Sequence, residues 1–146
     1  VLGAGRPFGG AEDLDAFCRI LQSGLEVAHA PEAVVHHMFT RRDDDYEALN
    51  HSYGLGLGAM SRKWAREGGG VGRTLAAKAL RRTVVRLMRR PGDRRARRAH
   101  LAFFTGFVAG YRRAGSIPVD GLIFIDEHAP APITITSSPA REEPAA

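Results

Sequence analysis

Two adjacent carboxylates, Glu12 and Asp13, follow a Gly9-Gly10 pair and open what reads as an amphipathic helix. Leu14, Phe17, Cys18 and Leu21 recur at i, i+3, i+4 and i+7, the spacing of one helical face. Gly24 stands where a left-handed residue would end that helix. The start of a helix carries free backbone N–H groups and the positive end of the macrodipole, so negative side chains are favoured there. An aspartate in that position, beside a glycine loop that can admit a hydroxyl, is placed to act as a general base. The same two acids also suit a plain helix terminus, for the same electrostatic reason. Chemistry alone leaves both roles open.

The sequence around the pair adds to this. Gly9-Gly10-Ala11-Glu12-Asp13-Leu14-Asp15, with Arg19, is followed by Pro31-Glu32-Ala33-Val34-Val35-His36-His37 and then by Tyr53-Gly54-Leu55-Gly56. In order and separation these elements resemble the acceptor-side segment of family-2 glycosyltransferases, over about residues 1–60. The resemblance implies an α/β chain, the C-terminal part of a GT-A fold, followed by a mostly helical basic extension. It implies transfer of a sugar from a nucleotide-sugar donor to the hydroxyl of a glycan or lipid-linked acceptor, with inversion at the anomeric carbon. Asp13 would be the base, and Glu12 would hold the acceptor or the donor sugar. Gly10, Asp15 and Arg19 would position the reactants. Arg19 either pairs with Asp15, four residues away, or turns to orient the Glu-Asp pair.

The family also uses a divalent metal, Mg or Mn, on an Asp-x-Asp motif. Asp43-Asp44-Asp45 comes after the helix, in a charged connector, and does not match that motif. His37, and less so His36, corresponds to a histidine that helps bind metal or diphosphate in some members; a surface imidazole is the alternative. Since the chain runs from Val1 almost at once into the motif, it reads as the C-terminal piece of a longer protein. Many such enzymes work at the cytoplasmic side of a membrane, so the implied location is cytoplasmic, peripheral at the inner face.

The positioning elements follow from the pattern. Residues 12–23 form the first helix, and residues 25–30 and 33–37 read as extended pieces either side of Pro31. A second helix covers residues 46–66, with Asp44 or Asp45 as its N-cap. Gly54 and Gly58 within it cost about 1 kcal/mol each relative to alanine, which makes sense if another backbone or a surface approaches closely. Gly68-Gly69-Gly70 breaks the chain before a third helix over 71–90. After a Pro91-Gly92-Asp93 turn, a fourth covers 94–113. Leu122-Ile123-Phe124-Ile125 reads as an edge strand or docking segment, and Pro, Ala, Ser and Thr dominate from 129 onward. The organisation expected is an acceptor-side part at 1–66, a basic helical extension at 67–115, and a docking segment with a disordered tail at 116–146.

Charge is unevenly spread along the 146 residues. Sixteen of the 21 Lys and Arg lie between Met60 and Arg113, against two acids, so this stretch is net +14 in a chain of net +5. Such a block needs an anionic partner or a polar solvent face. An anionic membrane surface suits helices with arginine on one side and Phe or Leu on the other. Nucleic acid is possible on charge alone, but no DNA- or RNA-binding motif accompanies it and it is not expected. A non-enzymatic basic module binding membrane or nucleic acid is the alternative to an enzyme. The apolar run 101–109 is far shorter than the ~20 residues of a spanning helix. Cys18, the single cysteine, reads as a buried, inert thiol, and His29, His51, His100 and His128 read as structural. Away from a parent sheet, the first helix and the extended pieces after it are expected to expose apolar faces.

Overall fold

Three proline-free stretches rich in Ala, Leu and Arg build the framework. A computed structural model describes residues 2, 7–36, 45–89 and 92–125. The helices are α1 (Glu12–Gln22), α2 (Tyr46–Glu67), α3 (Gly70–Arg89) and α4 (Arg94–Arg113), followed by β1 (Val119–Asp120) and β2 (Ile123–Phe124). Their ends follow local chemistry. Asp93 caps α4 by accepting from the Ala96 N–H at 2.9 Å. Gly24, at φ +80°, closes α1. There the Leu25 N–H donates to Ile20 and the Gly24 N–H to Leu21, the paired bonds of a Schellman stop.

This architecture corrects the α/β expectation. Helix accounts for 67% of the described residues, and the sheet is a single antiparallel pair of two-residue strands. The described residues therefore do not form the acceptor-side half of a GT-A sheet. Residues 25–36, expected to contain strands, are not in a strand. Val34 and Val35 are 68% and 90% exposed. Among the described residues no strand lies beside this segment, and a β pattern without a partner strand does not form a sheet; the segment turns instead at 31–32, where the Ala33 N–H donates to the Ala30 carbonyl. As expected, α1 turns much of its apolar face to the outside: Leu14, Phe17 and Leu21 are all exposed.

The centre of the molecule is the contact between α2 and α4. Gly54 and Gly58 lie one turn apart on α2, and a Cβ on either would strike the backbone carbonyl of Phe103 or Phe107. Gly106 and Gly110 do the same from α4, against the carbonyls of His51 and Leu55. Contacts advance together along both helices, so α2 and α4 run in the same direction, with α3 linking them along the chain. Small residues four apart on each partner let two helical backbones touch. Gly56, between the α2 pair, faces elsewhere: its Cα sits against the carbonyls of Gly9 and Gly10. Gly72 of α3 lies equally close to the backbone of α2 at Ser61.

A smaller apolar cluster joins the segments just before α1 and just after α4 to this pair. Phe8, Ala59, Ala114 and Phe124 are buried together, with the Phe8 and Phe124 rings stacked at 6.0 Å. The 122–125 segment thus docks through Phe124, while Arg66 donates to the Ile117 carbonyl at 3.0 Å to tie down the connection from α4.

Gly58→Ala is expected to destabilise the protein by about 1–3 kcal/mol, because overpacking outweighs the helix propensity gained. Gly70→Ala, with open space where the Cβ would go, is expected to be neutral or slightly stabilising. Urea denaturation of the two variants checks this, and equal midpoints would contradict the close-packed interface.

Candidate functional site at the start of the first helix

The chain enters α1 through two successive left-handed residues, Gly10 at φ +81° and Ala11 at φ +67°. Glycine adopts this conformation freely, whereas in alanine it costs roughly 1–2 kcal/mol. The turn brings the Gly9-Gly10 backbone down onto Gly56 and then directs α1 away. Gly10 is thereby a packing residue, with Tyr53 beside its Cα. The first turn of α1 carries Glu12, Asp13 and Asp15.

These three acids have different surroundings. Asp13 is exposed, and its Oδ1 accepts from the Leu14 N–H at 2.8 Å, one of the free amides of the helix start. Glu12 is also exposed and lines a small open cleft of about 170 Å³. Asp15, two residues on, is buried.

Asp15 is held from three sides. Lys63 reaches its two carboxylate oxygens at 2.6 and 2.7 Å, Trp64 Nε1 donates to Oδ1 at 2.8 Å, and Arg19 Nε lies 3.3 Å from Oδ2. Lys63 is 1% exposed and also donates to the Leu122 carbonyl at 2.7 Å. Its ammonium sits 5.3 Å from the centre of the Phe124 ring. One lysine thereby joins α1, α2 and the β1–β2 hairpin. Burial pushes the Lys63 ammonium below the usual lysine range, and the bond to Asp15 opposes that shift. Arg19 takes the first of its two expected roles, pairing with Asp15. Burial, and then the Asp15 charge, raise the Cys18 thiol above its ordinary value, which keeps thiolate scarce at neutral pH and agrees with an inert cysteine.

Glu12, Asp15 and Arg19 therefore meet at one cleft, whose other walls include Lys63, Leu122 and Phe124. Asp13, exposed on the same turn, does not line it. Sequence reasoning missed Lys63 and Trp64, which lie 48 and 49 residues from Asp15. The only signal was compositional: Lys63 is one of two lysines in an arginine-rich chain. Among the described residues no group of three or more His, Cys, Asp or Glu could hold a metal ion. His37 lies outside the described residues, as do Asp43 and Asp44.

Lys63→Met is expected to cost about 3–5 kcal/mol, since it leaves the Asp15 carboxylate buried without its main partner. Asp15→Leu combined with Lys63→Met should recover most of that loss. Denaturant midpoints of the single and double variants measure the coupling; a single variant within 1 kcal/mol of the parent, on the order of a surface change, would remove the pair from its structural role. Comparison with protein-family models, curated proteins and solved structures finds no match to this chain, so the chemistry of the site rests on its own residues.

Proposed function

We propose that this chain supplies the base side of a glycosyl transfer, in which a nucleotide sugar donates to an acceptor hydroxyl. The observation that supports this reading is the division of labour among the three acids of α1. Asp15 is consumed in anchoring the helix, whereas Asp13 and Glu12 stand exposed on the anchored turn. Asp13 takes the proton from the acceptor hydroxyl as its oxygen attacks the anomeric carbon. The bond to the nucleoside diphosphate breaks on the opposite side, and the configuration inverts. Glu12, facing the cleft, hydrogen-bonds the incoming sugar or acceptor. The contribution of the carboxylates is position and proton transfer. The donor diphosphate is held by groups other than these two acids.

The test is transfer by the native protein from a panel of nucleotide sugars, with products identified by mass. Asp13→Asn should lower kcat by about 100-fold or more, the usual range for loss of a general base. Its circular dichroism and melting should be unchanged, because Asp13 is exposed. Undiminished transfer in that variant would remove Asp13 from the reaction, and no transfer from any donor would remove the activity.

A second reading, contact with an anionic membrane surface, is supported by the outer side of α4. Leu101, Phe104 and Val108 are 45%, 40% and 36% exposed. Their spacing sets them in one stripe, with exposed Arg94, Arg97 and Arg112 at its ends. No helix among the described residues is long and apolar enough to cross a membrane, so the contact is with the surface. Binding to phosphatidylglycerol vesicles, weakening with salt and lost in Phe104→Asp, is the expected outcome. Equal binding to phosphatidylcholine vesicles would overturn it.

A further inference from the structure

A second cleft, of about 350 Å³, opens where α1, α2, α3 and α4 meet, and the transfer reading makes no use of it. Its volume falls within the range of small-molecule sites. The walls divide by chemistry. Leu57 of α2 and Phe103 of α4 give it an apolar side, and Lys78, Arg82 and Arg86 stand along α3, in line with Leu75 one turn before them. The three cations recur every fourth residue, so they stack along one face over roughly 12 Å of helix.

Like charges at i, i+4 repel and destabilise a helix by some tenths of a kcal/mol per pair. Among the described residues no carboxylate pairs with any of the three. The row is exposed and lines the cavity, so an anion entering it meets three positive charges. Two guanidiniums and an ammonium in line suit phosphate oxygens, which arginine meets with paired N–H donors. A bare inorganic anion would leave the Leu57, Leu75 and Phe103 wall against water. A ligand with an apolar body covers that wall and gains from its burial.

We propose that this cleft binds a phosphate or diphosphate ester carrying an apolar group, with the phosphate on Lys78, Arg82 and Arg86 and the apolar group against Leu57, Leu75 and Phe103. The site stands on the geometry of the four helices and does not depend on sugar transfer by Asp13.

Calorimetric titration of the whole chain with geranyl diphosphate and with inorganic pyrophosphate tests it. Both probes bring the same anion, and only the first brings an apolar body. Geranyl diphosphate is expected to bind about tenfold tighter or better, given the apolar surface it buries. Arg82→Ala should weaken it by roughly tenfold through loss of a charge-assisted contact. Arg73→Ala removes the same charge from an exposed position on α3 that does not line the cleft, and should leave affinity unchanged. Equal affinity for the two probes would reduce the site to charge alone and overturn the proposal. So would equal losses in the Arg73 and Arg82 variants, or no binding of geranyl diphosphate at millimolar concentration.

Discussion

The α2–α4 interface is a contact between backbones, and most of the molecule is arranged around it. With Gly54 and Gly58 on one helix and Gly106 and Gly110 on the other, no Cβ separates the two backbones at the crossing. Helix interiors that give up alanine for glycine lose about 1 kcal/mol per position in propensity. Four such positions are tolerable only where close approach returns more through dispersion contacts over the whole length of the pair. Gly56 extends the same device to a third direction, where the Gly9-Gly10 loop lies on α2. The placement of the carboxylate-bearing turn therefore depends on the helix pair beneath it.

Onto that pair the chain adds one buried electrostatic junction. Asp15 and Lys63 would each be costly alone in the interior, and together they are well satisfied: Trp64 and Arg19 complete the carboxylate, and the Leu122 carbonyl takes a further donor from the ammonium. Such a junction adds less net stability than an apolar substitute of the same shape, but it admits few alternative geometries. It fixes α1, whose own apolar face remains largely exposed, at a single polar point. The first turn of α1 is held by a side chain that has no part in proton transfer, and its two neighbours are left to face outward.

The basic helices gain definition in the same way. In sequence, α3 and α4 look alike, each an arginine-rich amphipathic segment. In the fold they do different things. Helix α4 buries its glycine face against α2 and turns Leu101, Phe104 and Val108 outward. Helix α3 contributes a ladder of cations to a cleft with an apolar far wall. The exposed stripe of α4 offers a broad surface, and the α3 ladder a bounded cavity. Binding a surface and binding a small ester are different physical problems, and the chain separates them onto two helices.

Local signals were sufficient to determine the four helices by themselves. Periodicity, the triple glycine, the Pro91-Gly92-Asp93 turn and the Gly24 stop are short-range features, and the helices observed lie within a residue or two of those expected. The close approach at Gly54 and Gly58 was also legible, because glycine inside a helix has few other justifications. The fold class was not. The valines of 25–36 carry a strand-like pattern, yet a strand exists only if another lies beside it, and that is decided by chain regions far away. The role of Asp15 was equally hidden. On the helix it looks like Glu12 and Asp13, and only the packing of α1 over Lys63 and Trp64 makes it the buried member of the three. Which carboxylate is held and which is left exposed is a property of tertiary contact, since burial and pairing depend on what the fold brings near.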